Sequence, residues 1–200
     1  LKAGWVTPAK VIYTIYSPLC HQLSFRSWFL FGEQAYYPRG LAGIPGIKTF
    51  EEVFRMPANV DENTDNFIMY SRYYEGDEVI GYKTALCQRD LAIYASFMLF
   101  GIIFAARQRK IKPVSWWIWL LLGVIPMAID GVSQLPSLMA GLPGWLPLRE
   151  STPIFRTITG FLFGFTSAWY LFPFMEDSMQ ETRAILSTKK AVAAQSEVAR

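Results

Sequence analysis

Three stretches of the chain carry almost no charge, and they set its plan. DLAIYASFMLFGIIFAA, residues 90–106, has no charged side chain after Asp90 and stops against the basic block RQRKIK. A run of about 16 apolar residues is near the short limit for crossing a bilayer core. Pro113 opens VSWWIWLLLGVIPMAID, which is uncharged until Asp130 and carries tryptophans of the kind that gather at a membrane interface. TPIFRTITGFLFGFTSAWYLFPFM, residues 152–175, is interrupted only by Arg156, one turn inside. Its Gly160 and Gly164 have the small-xxx-small spacing that lets a second helix come close. The pattern predicts an all-α membrane protein, a small bundle with three spanning helices over residues 90–175.

The flanks follow a different rhythm. PAKVIYTIYSPL lies between Pro8 and Pro18, too short to cross a bilayer, and reads as an interfacial or re-entrant helix within residues 1–19. Within residues 20–89, the stretch from Gly32 to Lys83 is rich in Gly, Pro, Asn, Asp and Tyr with no long helical stripe. They are expected to form an irregular exterior loop domain, in which FEEVFRMP is one helical stretch ending before Pro57. Residues 176–200 are polar and alanine-rich, a solvated helix that frays or docks on a partner. The chain begins with Leu1 rather than Met, so a fourth spanning helix upstream is an expectation too.

Sidedness comes from the short loops. Arg107, Arg109, Lys110 and Lys112 crowd one tight turn, and basic residues next to spans are retained on the cytoplasmic side. The loop 107–112 and the C-terminal tail are therefore expected in the cytoplasm and residues 20–89 outside, for a multi-pass protein of the cell (inner) membrane.

Composition agrees with that plan. The chain is 52% hydrophobic and 16% aromatic, with positive mean hydropathy, too apolar for an ordinary soluble domain. The net charge of +3 is small, and no basic run is interleaved with aromatics to track phosphates, so nucleic acid is not an expected partner. Membrane lipids are. Two cysteines and one histidine, without CxxC or CxxCH, exclude zinc ribbons and covalent c-type haem. A lone histidine also makes His21 a weak axial ligand for haem or chlorin.

The alternating direction of the spans brings the reactive side chains to one membrane depth. Cys20, His21, Gln22 and Arg26 follow the short helix, and Cys87, Arg89 and Asp90 precede the first span. Asp130 and Gln134 close the second, while Arg149, Glu150 and Arg156 open the third. Charges near lipid need partners, and the natural ones are Asp130 with Arg156 or Arg149, and Glu150 with Arg26 or Arg89. Such pairs either staple helix ends together or form a working site, in which Asp130 and Glu150 are the candidate catalytic carboxylates. Cys20 and Cys87 admit two readings. A disulfide would close a loop of roughly 67 residues outside the cell. Alternatively Cys87 and Asp90, three apart, share one helix face and join Cys20 and His21 in a zinc site, provided the turn at Pro18 lets adjacent residues point the same way.

CHQLSFRSWFLFG, CQRDLAIY, PMAIDGVSQL and RESTPIFRTITGFLFG, in that order, resemble a family of uncharacterised bacterial and archaeal multi-pass membrane proteins classed as a domain of unknown function. The resemblance covers most of residues 8 to 170. Many members of that family carry cysteine where this chain has Asp90. It therefore implies a ligand set of Cys20, His21, Cys87 and Asp90, with carboxylate in place of thiolate. It also implies one more hydrophobic segment before Leu1.

Two functions fit these readings. One is a membrane protein whose exterior polar site, with a structural or Lewis-acid zinc ion, handles a lipid-like substrate. The other is an accessory subunit of a larger respiratory or photosynthetic complex, docked through the Gly160 and Gly164 face and the tail. HExxH, GxSxG and a glycine-rich phosphate loop are all absent, so nothing names an enzyme class.

Overall fold

In the computed structural model, which describes residues 5–18, 20–54, 65–137 and 149–198, the chain is mostly helical. Helix α1 spans Val6–Tyr16. Pro8 is tolerated in its first turn, where amide donors have no intrahelical partner, and Pro18 stops it two residues after its end. None of its residues is buried, and Val6, Val11, Ile12 and Ile15 are exposed, as an interfacial helix requires.

Residues 20–89 are not irregular, and the protein is not all-α. They hold a three-stranded antiparallel sheet in the order β1–β3–β2, with β1 Ser27–Leu30, β2 Gly76–Asp77 and β3 Gly81–Cys87. Short helices α2 (Phe50–Val53) and α3 (Asp65–Tyr73) lie in the chain between β1 and β2. Ser27 pairs with Cys87 and Leu30 with Tyr82, with an irregularity between Ser27 and Phe29. The β2–β3 turn is held by Asp77, whose Oδ1 accepts the amides of Val79 and Ile80 at 2.8 Å each. Gly81 ends that turn at φ 87°, with the Leu30 carbonyl 2.6 Å from where a Cβ would sit, so only glycine fits. A core of Leu23, Phe25, Phe29, Tyr37, Phe50, Phe67 and Ile80 fills the space below the sheet. Phe25 stacks on Phe67 at 5.7 Å, and the buried Arg39 guanidinium lies over both rings. Sequence periodicity missed this unit because its core residues come one or two at a time from short strands, short helices and the segments between them. Helix α2 matches the start of FEEVFRMP; the part near Pro57 lies outside the described residues.

Lys83 of β3 is buried inside this unit. Its Nζ donates to the carbonyls of Gln22 at 2.8 Å, Arg72 at 2.5 Å and Ser71 at 3.4 Å. Burial pushes its pKa down to about 7, against which Glu75 and Cys20 act weakly. An unfolded lysine holds its proton up to about 10.4. Between these values the unfolded chain binds the extra proton, so folded stability rises with pH by up to about 1.4 kcal/mol per unit. Thermal melting in detergent is expected to climb from pH 7 toward pH 10, and Lys83→Met to flatten that slope; equal slopes in the two proteins would refute it.

The membrane part is built from α4 (Gln88–Ala106), α7 (Pro153–Val198) and a middle segment. The middle segment runs through α5 (Trp116–Ile118), a π-helical stretch Trp119–Val124, and α6 (Ile125–Val132). Helix α4 buries Ala92, Ser96, Phe100 and Phe104, four apart, and exposes Leu91, Met98, Leu99 and Ile102. A helix apolar on its outward face as well as its inward one suits hydrocarbon, not water. By length and composition α4 and α7 are each able to cross a membrane. The middle segment, expected as a third spanning helix, is shorter: Trp116–Val132 covers only about 25 Å at helical rise, against roughly 30 Å of hydrocarbon.

The Gly160 and Gly164 face was expected to serve a partner subunit. It is covered by the chain's own α4. A Cβ on Gly164 would lie 2.1 Å from the Ser96 hydroxyl and 2.5 Å from the Ile93 carbonyl, and one on Gly160 2.5 Å from the Arg89 carbonyl. Backbone cannot yield as a side chain can, so Gly164→Leu is expected to cost about 1–3 kcal/mol by forcing α4 and α7 apart. A melting temperature in detergent equal to that of the unmodified protein would contradict this. Below the glycines, Phe100, Phe104, Phe165, Trp169 and Phe172 pack into an aromatic core. Helix α7 then continues unbroken through Pro173, so the change to a polar tail at residue 176 is one of composition within a single helix.

Candidate functional site

The turn after α1 decides which side chains point inward. The Cys20 amide donates to the Tyr16 carbonyl at 3.0 Å, and Gln22 adopts φ 54°, a left-handed conformation uncommon for a side chain with a Cβ. Gln22 is held there by its own Nε2, which donates to the Tyr13 carbonyl at 2.7 Å, and by Lys83 on its carbonyl. The result buries Cys20 and leaves His21 exposed.

Cys20 meets Cys87 at the junction of β3 and α4. The Cys20 sulfur accepts the amides of Cys87 at 3.4 Å and Gln22 at 3.5 Å. Cys87 is the N-cap of α4: its sulfur accepts the Asp90 amide at 3.5 Å, and its thiol faces Asp90 Oδ2 at 3.1 Å. One ligand atom from each of Cys20, Cys87 and Asp90 lies within 4.8 Å of the other two. Both cysteines are free thiols in this structure. A hydrogen bond from Cys87 draws the Cys20 thiol below its usual range, against the cost of burial. Cys87, the donor in that pair and itself buried, is raised well above it. Cys20 is thus the thiol that ionises first.

Arginines surround the thiols. Arg26 holds Glu150 through two parallel bonds of 2.8 Å, the fork geometry that matches a carboxylate. Glu150 is also paired with Arg156, which donates to Gln134 Oε1 at 2.7 Å. Asp130 pairs with Arg89, and with the half-exposed Arg149 at 3.4 Å. Burial moves Arg26 down to about 10. Arg89 Nε and Gln88 Oε1 are buried without a partner among the described residues.

A cavity of about 190 Å³ opens over this set, with Cys20, Cys87, Asp90, Arg26, Arg89 and Arg156 in its wall and His21 at its lining. The structure therefore brings Cys20, Cys87, Asp90, Arg26, Arg89, Asp130, Gln134, Arg149, Glu150 and Arg156 to one end of the bundle. It leaves His21 outside the sulfur and carboxylate group. Of the expected pairs, Asp130 with Arg149 and Glu150 with Arg26 form, whereas Arg156 takes Glu150, not Asp130, and Arg89 takes Asp130, not Glu150. Asp130 and Glu150 are each bound by two arginines and hold those arginines in place. Sequence reasoning missed Lys83 and Met127, the former because it lies in a stretch that reads as exterior loop, where a lysine is ordinarily solvated.

The fold is that of a helical membrane protein with a small sheet-containing cap beside the helix ends. A family described as "Predicted membrane protein (DUF2085)" matches residues 79–170, a stretch that contains Cys87, Asp90, Asp130, Gln134, Arg149, Glu150 and Arg156. An uncharacterized protein of Methanocaldococcus jannaschii is 27% identical over 173 residues, 84% of this chain and 71% of the relative. No solved structure matches the chain. Together the matches support an uncharacterised membrane protein family, in line with the resemblance carried by the four motifs.

Proposed function

We propose that this membrane protein binds one thiophilic divalent ion, zinc by the chemistry of its donors, through Cys20, Cys87 and Asp90. The fourth coordination position would then face the arginine-lined cavity and receive the anionic head of a lipid-like substrate. The observation that carries the reading is the grouping of two sulfurs and a carboxylate oxygen within 4.8 Å in the wall of an open cavity. Tetrahedral zinc with bonds of about 2.0–2.3 Å needs neighbouring donors roughly 3.5–3.8 Å apart, a spacing this group can supply with small rotations. Three protein ligands and one open position is the pattern of working rather than purely structural zinc sites. Three anionic ligands around a divalent cation carry a net negative charge, which Arg26, Arg89 and Arg156 offset. The unpartnered Arg89 Nε supplies a donor for an incoming anion. With the loop 107–112 in the cytoplasm, this site lies at the exterior face.

Metal analysis of the purified protein tests the reading: about one zinc per chain, with both thiols alkylating after denaturation without reductant, is expected. Alkylation only after reduction would replace the metal site by a Cys20 to Cys87 disulfide. Isolation in fixed ratio with other membrane subunits, with no metal, would replace it by the accessory-subunit role.

A further inference from the structure

We infer that the face between α1 and the sheet holds one anionic phospholipid, its head group in a cationic pocket beside α3 and the start of an acyl chain in the adjoining apolar groove. The pocket, about 290 Å³, is lined by Lys10, Arg72 and Lys83 against a single carboxylate, Glu75. The groove, about 230 Å³, runs between α1 and the strands and is lined by Ala9, Ile12, Leu30, Phe31 and Ala85. Tyr13 and Lys83 stand in the walls of both, so the cationic and apolar spaces adjoin.

That arrangement matches an amphiphile and not a free anion, for which the groove has no use. Lys83 spends its donors on the carbonyls of Gln22, Ser71 and Arg72 and, buried with its pKa at about 7, forms part of the wall, while the positive charge comes from Arg72 and Lys10. Arg72, anchored to the Ser17 hydroxyl at 2.8 Å, and Lys10, exposed on α1, are the groups free to reach a phosphate. The position suits a membrane lipid. Lys83 and Ala85 lie a few residues before α4 enters the bilayer, and Val11, Ile12 and Ile15 of α1 present apolar surface beside the groove. Phe31 and Leu30 at the end of β1 are exposed apolar residues at its far rim. This inference stands independently of the metal site, whose ligands line a different cavity.

The test is native mass spectrometry of the full chain in detergent, titrated with phosphatidylglycerol or phosphatidylcholine. One phosphatidylglycerol is expected to be retained, at least tenfold more tightly than phosphatidylcholine. Lys10→Gln should weaken it about fivefold, the effect of one basic residue near an anionic head group. Ala85→Phe, which fills the groove, should weaken it as well while leaving the metal content and melting temperature unchanged. Equal retention of phosphatidylcholine would overturn the head-group assignment. Displacement by millimolar inorganic phosphate or glycerophosphoglycerol would overturn the lipid in favour of a free anion, and full affinity in Ala85→Phe would remove the acyl seat.

Discussion

With the proposed zinc site in place, Cys87→Ala is expected to lower the metal content from about one zinc per chain to none retained through purification. Removing a ligand removes a bond to the ion itself, and even losing a group that only orients a ligand costs 10–100-fold in affinity. Cys87 holds two positions at once. Its sulfur is one of three candidate ligand atoms, and as N-cap it accepts the Asp90 amide at 3.5 Å, so its loss also loosens the turn that aims Asp90. Asp90→Cys is the informative counterpart, because it exchanges the carboxylate for a thiolate and offers zinc a softer donor at the same helix position. It should raise zinc affinity, read by competition with a chelator of known strength. His21→Ala should leave the metal content unchanged, since His21 is exposed and outside the group. A protein that keeps its zinc in Cys87→Ala, or loses it only in His21→Ala, would refute the ligand set.

The second large effect belongs to Glu150. Its carboxylate is buried and shared between Arg26, at 2.8 Å on both oxygens, and Arg156. Glu150→Ala strips two buried guanidiniums of their counter-charge, and breaking a buried pair from one side costs about 3–5 kcal/mol. Arg149→Ala tests the same network at its rim. That side chain is 44% exposed and 3.4 Å from Asp130, so solvent screens it and the loss is expected to stay under about 1 kcal/mol. Replacing Arg26 and Glu150 together by apolar residues should cost less than Glu150→Ala alone, because Arg156 is then the one guanidinium left without its counter-charge instead of two. Chemical denaturation in detergent gives all three values. If Glu150→Ala and Arg149→Ala prove equally mild, the carboxylate is not the clamp described.

The helices were legible because their signals are local. The charge-free run after Asp90, Pro113 before the tryptophans, and the apolar stretch around Gly160 each say helix without reference to any other part of the chain. The grouping of polar residues was legible too, since spans that alternate in direction return their ends to one level. The strands were not. β1 and β2 have only four and two residues, too few for an alternating pattern to stand out, and the rings packed in their core come from short elements more than 40 residues apart, such as Phe25 and Phe67. Nor was the exclusion of His21. Adjacent side chains point apart unless the backbone bends between them, and the path of the turn after Pro18 is set by contacts of Gln22 with Tyr13 and with the distant Lys83.

What the amino-acid order by itself determined is the set of apolar helices, the short helix stopped at Pro18, and the delivery of cysteines, carboxylates and arginines to a common end. These depend on periodicity, proline geometry and the expense of charge in hydrocarbon, all properties of short segments. Only the tertiary structure decided the rest. It matched Arg156 to Glu150 and Arg89 to Asp130, turned the Gly160 and Gly164 face onto α4, shortened the middle segment below the bilayer thickness and drew Lys83 into the cap. Which of several like-charged side chains meets which carboxylate depends on helix rotation and separation of a few ångströms, and those are fixed by packing between segments far apart in the chain.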